Sequence, residues 1–391
     1  MPDPNTLLER HRPQLRYDSQ DPYRACSALT IVENAGNKLV DSSGGLIAAV
    51  GDAARALVLG SLGAGDGRKG ERLDEQGDER KIMRDAVRMQ GKPKYADRTY
   101  WRCKQVGDTT YLQYWFWLYY NPKDVAGRGR HEGDWEMIQI RLEGERPVCA
   151  VYAAHAHAMK TRWDDIEVHT EGDGVHPVVY VAAESHASYF EAGTHPAFGR
   201  ADNAFGDGPK VIPALEEFGP WAEWPGRWGN SKGVLWWLPI ARLRPPAGKS
   251  PESPGHQETK WLDPAKFEAQ AKDYKPKKER ALWKFGRRSY PLKPEIVEAR
   301  LEGDRAIVKY RANNRPLRRR TQHLLITVDA DGEVLGRVAL RNADHEGEVT
   351  VPLVKTPERA EVLVSAFNRR RQRSEVESEK VVQAEPDRPP A

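Results

Sequence analysis

Between Tyr95 and Phe190 the chain is cut into short apolar runs, and that spacing limits the possible folds more than any other feature. TTYLQYWFWLYY is dense in aromatic residues, which suit a pleated, half-buried surface. EMIQIRL, PVCAVYAAH and PVVYVAA are runs of strand length bounded by turn residues. No helical pattern alternates with them, which argues against a wound parallel α/β sheet. The expected fold is mainly β: an antiparallel β-sandwich carrying helical and loop insertions.

The same reading divides the chain. Residues 1–20 read as a polar leader, residues 21–245 as the β-sandwich domain, and residues 246–293 as a Pro- and Lys-rich linker. A short helix is expected in that linker around Pro264–Asp273. Apolar residues at helical spacing from Leu46 to Leu62 predict another helix, followed by a polar, glycine-rich loop. From residue 294 to about 370, apolar and polar residues alternate between Gly-Asp and Asp-Gly turns. That pattern predicts a small sandwich like fibronectin type III or immunoglobulin modules. Residues 371–391 are expected to be a disordered tail. The chain holds 12 tryptophans, and FGPWAEWPGRWGNSKGVLWWLP reads as an aromatic flap over the first domain's core. Exposed, the same residues would suit a lipid interface.

Composition removes several function classes. With 61 bases against 57 acids, the net charge of +4 gives no support to a nucleic-acid partner. Three cysteines are too few and too scattered for a disulfide scaffold or zinc cluster. No nucleophile elbow, Walker loop or dinucleotide fingerprint is present. The polar start lacks the apolar core of a secretory signal, and Asp52 and Arg55 interrupt the most apolar stretch. The default expectation is a cytoplasmic protein, with peripheral attraction of its basic runs to anionic lipid left open.

One phrase carries chemistry: YYNPKDVAGRGRHEGDWEMIQIRL. Proline at 122 stops a strand, a glycine-bearing loop follows, and a new strand starts near Gly133. Along it Asp134 and Glu136 share a face while Trp135 points away. His131 lies just before them and Asp124 at the far mouth of the loop. Carboxylates this close repel unless a positive charge joins them. A hard divalent cation, Mg²⁺ or Ca²⁺ rather than zinc, supplies it with oxygen ligands. A salt-bridge network with Lys123, Arg128 or Arg130 supplies it equally well on spacing alone. His155 and His157, read as one face of the strand Val151–His157, and His186 after another strand, are candidates for a general base.

HEGDWE, YNPKD, DPYRACSAL, LQYWFWLYYN, VYAAHAHA and VYVAAESHASYF followed by Gly193 resemble, in order from Asp21 to Asn230, the vacuolar protein sorting-associated protein 62 family. More distantly they resemble the necrosis-inducing proteins. The second resemblance implies a divalent cation held by Asp124, His131, Asp134 and Glu136. The loop is about one residue shorter here, and Gly133 stands where that motif has its second histidine. The function so implied is metal-dependent recognition of a polar lipid or sugar headgroup at a membrane surface. The alternatives are a metal-dependent hydrolase with His155 or His186 as base, a cytolysin-like toxin, and a structural scaffold.

Overall fold

The computed structural model describes residues 3–41, 43–49, 71–122, 130–155, 157–197, 200–230, 250–274, 291–312, 321, 323–330, 333–341, 343–368 and 373–383. The chain forms two compact units. The first comprises Met1–Asp18, Tyr23–Ala192 and Ala204–Lys275, and the second Ser19–Pro22, Gly193–Asn203 and Pro276–Ala391.

The frame of the first unit is an antiparallel meander: β1 (Arg98–Val106), β2 (Thr109–Asn121), β3 (His131–Glu143), β4 (Arg146–Ala154) and β5 (His157–Arg162). Short parallel strands close its two edges, Ala214–Glu216 beside β1 and Lys272–Asp273 beside β5. Both faces of this sheet are buried, so its central strands do not show a clean polar and apolar alternation. Trp115, Trp117, Tyr119, Trp135 and Met137 pack on one face with Trp221, Trp224, Trp228 and the helix Glu79–Gln90. Leu112, Tyr114, Phe116, Leu118, Ile138 and Ile140 pack on the other, with Leu7, Leu8, Val179, Val181 and Phe190. A second sheet, built on Gly174–Val181 (β6), supplies that cover. The mainly β expectation therefore holds.

Several local expectations change. The polar leader is folded: Asp3 caps a helix at Pro4–Arg10, and its buried Leu7 and Leu8 join the core. Gln14–Arg16 then pairs parallel to β6. Leu15 and Tyr17 join the same core, so a few apolar residues anchor a segment that is otherwise polar. Leu46–Ala49 is a strand paired with Asn37–Val40, not the start of a helix, because the turn at Gly44 folds it back onto its neighbour. Residues 50–62 of that expected helix lie outside the described residues. The linker contains the expected helix at Pro264–Gln270, capped by Asp263, and another at Glu258–Leu262. Both are docked on the sheet. Buried Gln113 and Gln139 donate to the carbonyls of Lys260 and Pro264, 2.7 and 3.0 Å away.

The second unit holds a three-stranded sheet (Glu295–Glu302, Arg305–Arg311, Glu346–Pro352) and a four-stranded one (Glu333–Arg341, His323–Ala330, Arg359–Phe367, Glu377–Val382). Leu301, Val308, Ile326, Val351, Val362 and Val364 form its core. The strand Glu377–Val382 falls in the expected disordered tail. It pairs with Arg359–Phe367 and buries Val381, which offsets the low apolar content of the rest.

Candidate functional site

Gly133 decides which side chains meet. Beyond it Asp134 and Glu136 share a face with Ile138 and Ile140, whereas Trp135 and Met137 enter the tryptophan cluster. Unbroken alternation would bring Glu132 beside Asp134 and send His131 into the tryptophans. Instead Gly133 adopts φ +67°, a left-handed conformation inside a strand, and the alternation reverses. Glu132 turns to the opposite side, where its Oε2 accepts from the backbone of Glu75 and Asn230 at 3.1 Å each. His131 joins the electrostatic environment of Asp134 and His186.

Asp134 is the hub. It is 9% exposed, and its Oδ2 lies 3.0 Å from Nδ1 of His186, itself in a turn between β6 and Ser188–Tyr189. Burial opposes ionisation of Asp134, but the His186 hydrogen bond and the nearby imidazoles of His131, His186 and His155 outweigh it and hold the carboxyl below its ordinary range. Burial pushes the pKa of His131 down. Both of its ring nitrogens are engaged, Nδ1 2.7 Å from the Gly133 carbonyl and Nε2 2.7 Å from the side-chain amide of Asn121.

The backbone is strained at the same place. Among the described residues, Asp97, His155, Glu184 and His186 are the non-glycine positions with positive φ. His155 and His186 act on Asp134, and Glu184 shares the turn with His186. Each such conformation costs on the order of 1 kcal/mol and persists where the surroundings over-determine it.

Of the residues singled out in the sequence, His131, Asp134 and His186 converge, and Glu136 lies on the Asp134 face. Asp124 lies outside the described residues. His155 and His157 do not share a strand face. Ala154 pairs with His157, so His155 sits in a hairpin turn and His157 opens β5. His155 adopts φ +57° there, as hairpin turns favour.

For a divalent cation, Asp134 and Glu136 are suitable donors: two buried carboxylates on one face, of the hard-oxygen type such ions take. His131 does not fit as a ligand while both its nitrogens are engaged. Among the described residues no three histidine, cysteine or carboxylate side chains gather as a ligand set.

Sequence reasoning missed the second group of acids. Glu132 is 3% exposed, and Glu75, whose side chain is also buried, accepts from Tyr119 at 2.7 Å and lies 3.2 Å from Lys81 Nζ. Burial, then the charge of Asp74, raises Glu132 to about 8. Burial, then the hydrogen bond with Asp85, raises Glu75 to about 7. Unbroken alternation would put Glu132 on the face of Asp134, and the positive φ of Gly133 reverses it. Both folded values exceed the ordinary 4.5, so the native state holds more protons. This group therefore favours folding in acid and costs stability as pH rises from 4.5 towards about 8. Glu132→Gln, which keeps an oxygen for the two backbone donors, is expected to stabilise the protein by about 1–3 kcal/mol above that range and little below it. Urea midpoints on both sides of the range check this; a variant weaker than wild type in alkali would refute it.

No family model matches the chain, and none of the curated proteins matches it significantly. The expected membership of the vacuolar protein sorting-associated protein 62 family thus finds no match behind it. Among solved structures, a toxin fold for microbial attack and plant defence is 14% identical over 56% of this chain and 76% of its own, with a TM-score of 0.27. Necrosis and Ethylene inducing Protein 2 from the causal agent of cocoa's witches' broom disease is 15% identical over 56% and 74%, with a TM-score of 0.27. NLPPya in complex with mannosamine is 15% identical over 56% and 76%, also with a TM-score of 0.27.

Proposed function

We propose that the first unit binds a polar ligand, a lipid or sugar headgroup at a membrane surface, at a site organised round Asp134 and assisted by a divalent cation. The observation that supports this most is the gathering of backbone strain at His155, Glu184 and His186 about one buried carboxylate. Packing alone seldom concentrates such strain, whereas a preorganised site uses it. Asp134 and Glu136, with Asp124 as the further carboxylate that the sequence motif supplies, would hold the cation, and His131 positions the strand through Asn121 and Gly133. A cation there supplies open coordination positions to ligand oxygens. His186 fixes the orientation of the Asp134 carboxylate.

Calorimetric titration of chelator-treated protein with Mg²⁺, Ca²⁺ and Mn²⁺ tests this reading. Wild type is expected to bind one of them, and Glu136→Gln to weaken that binding at least tenfold, about 1.4 kcal/mol. Glu136 is the chosen position because Asp134 also secures His186. Absence of ion binding by wild type would sink the cation.

One observation favours hydrolysis as a second reading. A carboxylate 3.0 Å from Nδ1 is the arrangement that sets the tautomer of an imidazole acting as base. Chelator-sensitive turnover of ester or phosphodiester substrates, abolished by His186→Gln, would establish it, and its absence would leave binding alone.

A further inference from the structure

A cavity of about 580 Å³ opens beside this site, within the first unit, between β5 and the two docked helices. Its volume suits a small ligand. His155, His157, Lys260 and Lys272 line it, with the amides of Gln257 and Gln270. No carboxylate is present among its described lining residues. Elsewhere on this unit, exposed bases sit beside acids, as Arg162 beside Asp164 and Arg88 beside Asp85. Two ammonium groups around one hollow with no carboxylate among its described lining residues form a local excess of positive charge, and the two imidazoles and two amides add hydrogen-bonding groups.

The wall is built rather than incidental. Gln113 and Gln139 clamp the helices to the sheet through backbone carbonyls, Lys160 Nζ donates to the Glu268 carbonyl at 3.2 Å, and Lys272 pairs with Met159 of β5. Phe267 and Ala271 contribute an apolar floor. Amides beside the ammonium groups provide partners for hydroxyls, and an apolar floor lowers the local dielectric in which the charges act.

We propose that this cavity binds a phosphate monoester carried on a hydroxylated ligand, with Lys260 and Lys272 engaging the phosphate oxygens and Gln257 and Gln270 the hydroxyls. His155 stands at the shared edge, lining the cavity while its charge acts on Asp134. The inference goes beyond the cation reading and does not require it. A free sugar phosphate carries both groups, and the headgroup of phosphatidic acid carries the phosphate monoester alone.

The test uses the full-length protein in excess chelator, so that failure of the cation site leaves it intact. Calorimetry compares a hexose phosphate with the parent hexose, and sedimentation compares phosphatidylcholine vesicles with and without phosphatidic acid. Wild type is expected to bind the hexose phosphate and not the hexose, or to sediment only with the phosphatidic acid vesicles. The first result points to a free ligand and the second to a lipid; either supports the site. Lys272→Gln, on an exposed edge, should weaken binding roughly tenfold, and Lys260→Gln added to it roughly tenfold again. Unchanged thermal unfolding of Lys272→Gln separates lost affinity from lost folding. Binding of neither probe by wild type, or equal binding by the double variant, overturns the proposal.

Discussion

Gly133→Ala is expected to destabilise the first unit by about 4 kcal/mol, the sum of left-handed backbone strain and overpacking. A Cβ at this position would stand 2.2 Å from the Trp228 carbonyl oxygen and 2.5 Å from the Trp117 ring. Neither neighbour can yield cheaply. Trp228 lies fully buried in the tryptophan cluster, and Trp117 packs at 5.1 Å against Trp135 and 5.0 Å against Trp228. Single domains are stable by roughly 5–15 kcal/mol, so such a loss consumes much of the total. Gly144→Ala is the internal control. It has nearly the same φ, +62°, but nothing within 4 Å of the added carbon, so it should cost only the strain, about 1–2 kcal/mol. Urea unfolding followed by tryptophan fluorescence separates the two. Equal losses would show that the close approach to Trp228 and Trp117 does not matter.

Asp134→Ala is expected to cost about 3–5 kcal/mol near neutral pH, because it leaves His186 buried without its carboxylate partner. The cost depends on pH with a definite sign. Asp134 is held below its ordinary 3.8 in the folded state, so its contribution is complete above that value and is lost as pH falls through the folded value. The gap between wild type and variant should therefore be widest near neutrality and narrow in acid. His131, whose pKa is lowered by burial, adds an acid-side loss of its own, beginning below its ordinary 6.5. Unfolding free energies across the acid range, for wild type, Asp134→Ala and His131→Gln, resolve the two contributions. A gap that stays constant into acid would contradict the pairing.

Much of the architecture was legible because it follows from local chemistry. The strand content of TTYLQYWFWLYY and EMIQIRL, the end of the first of these strands at Asn121 and the capped helix after Asp263 depend on a few neighbouring residues. The failures share a different origin. The leader's residues are mostly polar, while its place in the fold depends on Leu7, Leu8, Leu15 and Tyr17 reaching a core built largely from residues about a hundred or more positions away. The strand at Leu46–Ala49 looked helical because four apolar residues carry no decisive period. His155 and His157 look like one strand face because a hairpin turn with histidine in the left-handed region has no sequence signal of its own.

The sequence by itself determined the kind of chain this is, mainly β and in successive β-rich segments, and it placed Asp134 and Glu136 on one face, since period-two alternation is a property of any strand. Tertiary structure alone decided the rest of the site. It used the φ of Gly133 to exchange the faces of His131 and Glu132, delivered His186 from a distant turn to within 3.0 Å of Asp134, and set a cationic hollow beside them by docking two helices onto the sheet. The physical reason is that alternation is enforced by each residue's own backbone, whereas a reversal is tolerated only where packing on both faces compensates for its strain.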